Sequence, residues 1–204
     1  MIEKPYNQRR EDRRHAILDA AESLFLQQGF DRVSLNAIVQ RSGGSLATVY
    51  AIFGNKHGLL HAVMDRAREE GLRELAELID ETSSPAAILR DFGLRYHQFI
   101  TQPRTVALTR LVIAQSLNDA EYGCRFIRDI QLRFVKRMAE VFSRWTTTGQ
   151  ARIDRPHEAA ELFIALVQCD APVRTMLGMA PEPTDAATLN WRLAPFLEHF
   201  QVAS

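Results

Sequence analysis

Between Ser34 and Phe53 the chain reads SLNAIVQRSGGSLATVYAIF, two apolar segments of two turns each, parted by Gly43-Gly44. A serine precedes each segment, Ser34 and Ser45, and serine is a strong N-cap because its hydroxyl accepts from an orphan amide of the first turn. Helices this short do not persist alone in water. Their apolar residues must be buried against neighbours, which limits this region to a small helical unit with a helix, a tight turn and a second helix at its centre.

The flanks supply those neighbours. Ile17, Leu18, Ala21, Leu24 and Phe25 form one stripe of an amphipathic helix. Gly29 is expected to stop that helix in a left-handed conformation, with Phe30 folding back on its last turn. Leu35, Ile38 and Val39 give the second helix a buried side. Asn55 is expected to cap a fourth helix carrying Leu59, Leu60, Val63, Met64 and Ala67. Three helices and the head of a fourth, in about 60 residues, make one small domain.

Helical spacing also dominates the remainder, and no sustained alternation reads as a strand. Thr82-Ser83-Ser84-Pro85, Gln102-Pro103, Gly123, Gly149, Pro156 and the stretch from Gly178 to Pro183 punctuate it. Between these marks lie helical segments at 85 to 101, 104 to 117, 121 to 147, 156 to 177 and 185 to 202. Pro172 and Pro195 fall inside such segments and are expected to kink or end them. The expected architecture is all-α, with about nine helices. It divides into a flexible basic arm (1–10), a three-helix domain built on the helix, turn and helix of 34–53 (11–71) and a helical bundle (72–204).

The 46% apolar and 25% charged content is that of an ordinary soluble globular chain. Cys124 and Cys169 are far apart in sequence, in no metal-binding spacing, and are expected to be buried reduced thiols. Basic residues near the start, Lys4, Arg9, Arg10, Arg13 and Arg14, are followed by no apolar secretory segment. The most apolar stretch, Ala159 to Val173, is interrupted by Glu161, Asp170 and Pro172 and is too short to span a membrane. A cytoplasmic protein without membrane partner or cofactor is expected.

Net charge is zero, so composition alone does not announce nucleic acid. The geometry of 34–53 does point there: a helix-turn-helix places the N-terminal residues of its second helix in the major groove. The segment from Arg13, RRHAILDAAESLFLQQGFDRVSLNAIVQRSGGSLATVYAIFGNKHGLLHAVM, resembles the N-terminal domain of the TetR family almost position for position. The shared features are Ile-Leu-x-Ala-Ala, Leu24-Phe25, Gly29-Phe30, Ser34, Ile38, Gly43, Ser45, Tyr50, Phe53, Lys56 and Leu59-Leu60. The resemblance implies a homodimeric transcription factor, usually a repressor, released from a palindromic operator by a small molecule. It departs from the family at Gly44, where Val or Ile is usual, and at Leu46-Ala47, where Lys-Gly is common. The second helix, Leu46 to Ile52, therefore carries no charged side chain.

Specificity requires contacts with base edges, and affinity requires contacts with phosphates. Ser34, Ser45 and Thr48 offer hydroxyls, while Leu46 and Ala47 suit a thymine methyl. By resemblance Asn36 occupies a position that reaches bases, where it can pair with adenine, and Tyr50 reaches phosphate. Lys56 follows the Asn55 cap in a first helical turn whose free amides already favour an anion. Arg13 and Arg14, with Arg9 and Arg10, are candidates for phosphate or minor-groove contact.

The C-terminal part resembles TetR-type domains of the AefR-like subgroup, through TQPRTVALTRLVIAQSL and AAELFIALVQCDAPVRTMLGM. That resemblance implies an effector pocket, for which Phe92, Tyr96, Phe99, Arg110, Gln115, Phe126, Phe134 and Met138 are the expected lining. It also implies a four-helix dimer interface, expected from Leu162, Leu166, Leu189, Trp191, Leu193 and Phe196.

Two other readings compete. His57, His61 and Asp65 stack at i, i+4 and i+8 on one helix face, as metal ligands do, but no HExxH or fourth ligand accompanies them, so neither metal nor catalytic residues are expected. Alternatively the uncharged recognition helix marks a protein-interaction module whose helix-turn-helix is degenerate.

Overall fold

The computed structural model describes residues 6–76, 83–180 and 183–204. The expected arm residue Lys4, Thr82 of the first turn and the Pro181-Glu182 pair lie outside the described residues. Described residues contain no strand. The helices are α1 (Tyr6–Gln28), α2 (Leu35–Ser42), α3 (Leu46–Phe53), α4 (Lys56–Ala76), α5 (Pro85–Thr101) and α6 (Pro103–Asn118). They continue with α7 (Ala120–Phe126), α8 (Leu132–Thr147), α9 (Pro156–Gln168), α10 (Ala171–Met176) and α11 (Ala186–His199). A π-helical turn, Ile127–Gln131, joins α7 to α8. Packing divides the chain into Met1–Ala67 and Arg68–Ser204, a boundary within α4 and four residues ahead of the expected one.

The first unit follows from its caps. Ala37 N donates to Ser34 Oγ at 3.1 Å, Thr48 N to Ser45 Oγ at 3.2 Å, and Gly58 N to Asn55 Oδ1 at 2.8 Å. Each cap satisfies an amide that its helix leaves without a partner. Gly29, at φ 81°, ends α1 with its amide on Phe25 O, and Phe30 folds back to 5.3 Å from the Phe25 ring. Ile17, Leu18, Phe25, Ile38, Val49, Leu59, Leu60 and Val63 make a sealed core between α1, α2, α3 and α4. One expectation is corrected here. Helix α1 starts at Tyr6, so residues 6–10, expected as flexible arm, are helical. The local sequence YNQRREDRR has no glycine or proline to break the helix, so the polar face simply extends backwards.

In the second unit an aromatic cluster runs through a mainly aliphatic core. Phe92, Tyr96, Phe134, Phe142, Phe163 and Phe196 pack at centroid separations of 5.1–6.4 Å. Gly93 lets α5 approach α9 and α11 closely, since a methyl group there would stand 3.2 Å from Leu189 and 3.3 Å from Val167. The helices number more than nine because two expected segments are divided. Residues 121–147 carry the π-helical turn, and 156–177 breaks at Cys169, whose φ of 49° cannot continue α9. Pro172 sits in the first turn of α10, where its missing amide costs nothing. Pro195 lies inside α11 without ending it. Both cysteines are free and exposed, not buried as expected: Cys124 is on the outer side of α7, and Cys169 is in the α9–α10 break.

Candidate nucleic-acid interface

The α2–turn–α3 segment presents a polar rim above an apolar floor. Ser34, Asn36, Ser45 and Ala47 are exposed, Thr48 is half-buried, and Tyr50 is 54% exposed, so its hydroxyl is not packed in the core. Leu46 is half-buried, which leaves it less surface for a thymine methyl than Ala47 has. Val49 is sealed beneath. Ser45 Oγ and Thr48 Oγ1 lie 3.0 Å apart in a hydrogen bond. A hydroxyl has one donor and two acceptor positions, so the pair keeps polar capacity facing outward while each member fixes the other's rotamer.

Lys56 sits at the start of α4. Its Nζ donates to Asp31 O at 3.3 Å and stands 4.3 Å from the Phe30 ring centroid. His57 stacks on the same ring at 5.0 Å and 9°. Desolvation pulls the Lys56 ammonium below its ordinary lysine value, with the Asp31 carboxylate opposing that shift. The chain therefore holds this cation in place with an aromatic face and a carbonyl. Sequence reasoning assigned Lys56 a phosphate role but missed Phe30 and Asp31 as its supports, because Phe30 reads only as a helix-ending apolar residue. His57, one member of the candidate metal ladder, is used in this stack. Among the described residues no three His, Cys, Asp or Glu side chains converge as metal ligands would.

Arg13 is exposed on α1 and donates from Nη1 to Ser42 O at 3.3 Å; Arg14 is half-buried. Arg66 was also missed. It ties α4 to α1 through Asp19 at 2.6 Å and Glu22 at 2.9 Å, with Arg66 and Glu22 both mostly buried. Only the fold brings these groups together, across more than forty residues.

In the second unit the expected pocket residues separate into groups. Phe92, Tyr96 and Phe134 stack together, Met138 is buried in the same cluster, and Phe99 packs against it. Tyr96 Oη accepts from Gln168 Nε2 at 2.9 Å, and Arg68 lies 5.3 Å from the Phe134 ring. Burial pushes the Tyr96 hydroxyl above its ordinary value, so it stays neutral at physiological pH, while Arg68 and the Gln168 hydrogen bond pull the other way. Gln115 is buried on α6 and Phe126 is half-buried on α7, both outside this cluster. Arg110 is exposed, with its guanidinium beside Gly178.

The expected dimer residues also divide. Leu189, Leu193 and Phe196 are corrections, because they are sealed in the chain's own core and have no surface left for a partner. Trp191 is 79% exposed and Leu162 47% exposed, and Leu166 is half-buried. No helix among the described residues is long and apolar enough to cross a membrane.

A capped two-turn helix, a glycine turn and a second capped helix, followed by an all-helical second unit, define a helix-turn-helix protein. The chain belongs to the TetR family of bacterial regulatory proteins: the family's N-terminal domain matches residues 17–63, and the C-terminal domain of AefR-like transcriptional repressors matches residues 87–191, just over half of the chain. Proteins of this family are transcriptional regulators rather than enzymes. The HTH-type transcriptional repressor ComR of Escherichia coli is 39% identical over 80 residues, 39% of this chain and 38% of ComR. The chain spans 38–59% of the lengths of ComR and three further curated relatives. The flavonoid-responsive regulator FrrA is similar in structure, at TM-score 0.70 and 26% identity over 92% of this chain and 96% of FrrA. A TetR-family protein from Mesorhizobium loti shares the fold at TM-score 0.79 and 21% identity, over 94% of this chain and 98% of that one.

Proposed function

We propose that this chain is a homodimeric repressor that binds a palindromic operator through α3 and leaves it when a small molecule binds the second unit. The observation that carries this reading is the outward polar rim of α2 and α3, held by serine caps over a sealed core. Ser45, Ala47 and Thr48 meet base edges, with a lesser contribution from Leu46. Asn36 approaches from α2, where its amide has both the donor and the acceptor that adenine requires. Tyr50, Lys56 and Arg14 contact phosphates, and Ser34 serves chiefly as the α2 cap. The recognition helix is uncharged, so these flanking groups provide the salt-dependent part of the affinity.

The exposed stripes Leu162 and Ala165 on α9, and Ala187, Trp191, Ala194 and Pro195 on α11, support a partner copy. Each recurs at helical spacing and joins small residues with a large apolar one. A two-fold protein reads a two-fold operator with half-sites about one helical turn apart. The FrrA likeness supports an effector, with the Phe92–Tyr96–Phe134 cluster and its Arg68 and Gln168 neighbours as the region it would rearrange. Such a protein acts in the cytoplasm, at the nucleoid.

Selection of bound duplexes from a random library tests the reading. A two-fold consensus is expected, and its loss on adding the right metabolite identifies the effector. Recovery of unrelated sequences at low salt would favour the degenerate, protein-interaction alternative.

A further inference from the structure

The turn between α2 and α3 is made of two glycines at positive φ, 74° at Gly43 and 108° at Gly44. Neither has a side chain to anchor the turn to the core. Helix α1 supplies the anchor instead. Arg13 Nη1 donates to the Ser42 carbonyl at 3.3 Å, close to the negative end of α2, where helical carbonyls lack partners. A methyl group on Gly43 would stand 3.1 Å from Arg13 Nη1. One on Gly44 would stand 3.5 Å from both Cδ and Nη1, and 3.7 Å from Nε. The guanidinium and its last methylene thus lie along both glycines, in contact with the positions that β-carbons would take.

We propose that Arg13 is a positioning residue for the recognition helix: it spans from α1 to the end of α2, holds the Gly43-Gly44 turn, and so fixes where Ser45 and Thr48 enter the groove. The inference rests on the DNA-binding reading above. It changes the role expected of Arg13 from phosphate contact to support of the turn within its own chain. Arginine suits the task because its planar fork donates and packs at once, whereas a lysine ammonium is a strongly hydrated point charge.

The salt dependence of binding separates a strut from a phosphate ligand. The protein is titrated by anisotropy with its selected operator and with a scrambled duplex, across a salt series, as wild type, Arg13→Ala, Arg13→Lys and Lys56→Ala. Arg13→Ala and Arg13→Lys are both expected to weaken operator binding about tenfold or more, through the loss of one charge-assisted hydrogen bond in each subunit. Both should leave the salt slope and the scrambled-duplex affinity as in wild type. Lys56→Ala should flatten the slope. Full affinity in Arg13→Lys, or a flattened slope in Arg13→Ala, would overturn the proposal and make Arg13 a phosphate contact. Amide hydrogen exchange of the free protein gives a second readout that does not depend on DNA. Arg13→Ala should speed exchange of the Gly43 and Thr48 amides, bonded in wild type to Val39 O and Ser45 Oγ, about tenfold while the α1 core amides stay protected. Unchanged exchange at the turn would refute the strut even if no duplex bound, and the absence of any bound duplex would by itself count only against the DNA-binding reading.

Discussion

Replacing Gly58 by alanine sets two opposite effects against each other. Gly58 lies in the first turn of α4, where alanine normally stabilises a helix by about 0.5–1 kcal/mol relative to glycine. At this position a β-carbon would fall 2.0 Å from the Phe53 carbonyl oxygen and 3.2 Å from its carbon. Ordinary contact lies beyond 3.4 Å, so the backbone leaving α3 must retreat by more than an ångström. That oxygen belongs to the turn at Gly54, whose φ is 75° and whose amide is bonded to Tyr50 O at 2.9 Å. Retreat therefore strains the junction that fixes α3 against α4. Overpacking of this kind costs about 1–3 kcal/mol, so the expected net destabilisation is roughly 1–2 kcal/mol. Urea unfolding followed by circular dichroism measures it, with operator affinity read in parallel. A Gly58→Ala protein as stable as wild type, or more so, would refute the steric reasoning.

Five other substitutions have outcomes set by their own contacts. Arg66→Ala strands the mostly buried Glu22 carboxylate and should lower stability by about 2 kcal/mol, measurable by urea denaturation; a change within error would show the α1–α4 ion pair to be idle. Lys56→Ala should make the log–log salt dependence of binding shallower by about two for a dimer, one phosphate per subunit, whereas Thr48→Ala should keep the slope and relax preference at one base pair. Trp191→Ala should weaken self-association by about tenfold or more in light scattering without unfolding the chain, while Leu193→Ala, in the core, should cost about 2–5 kcal/mol of stability; an unaltered dimer in Trp191→Ala would remove α11 from the interface.

How far the sequence carried the reading depended on the range of each interaction. Ser34, Ser45, Asn55 and Gly29 act on backbone within a few residues of themselves, so their roles were legible from their neighbours in the chain. The stripes of α1 and α4 were legible for the same reason, because helical period decides which side is buried. Long-range contacts were not. Arg66 meets Asp19 and Glu22, and Arg13 meets Ser42, only once the helices have packed. The face of α11 was misjudged because it is apolar on two sides. Leu189, Leu193 and Phe196 serve the inside, while Trp191 is left outside, and composition gave no means of separating them. The break at Cys169 was hidden as well, since nothing in ALVQCDAP marks a residue at positive φ as glycine would.

The most direct test of a groove-reading α3 is competition at two salt concentrations between the selected palindrome and a duplex of the same composition in scrambled order. Tight binding to the palindrome that weakens steeply with salt, with discrimination of at least a hundredfold that Thr48→Ala or Asn36→Ala each reduces by about tenfold, is the expected result. Equal binding of both duplexes, untouched by either substitution, would contradict it.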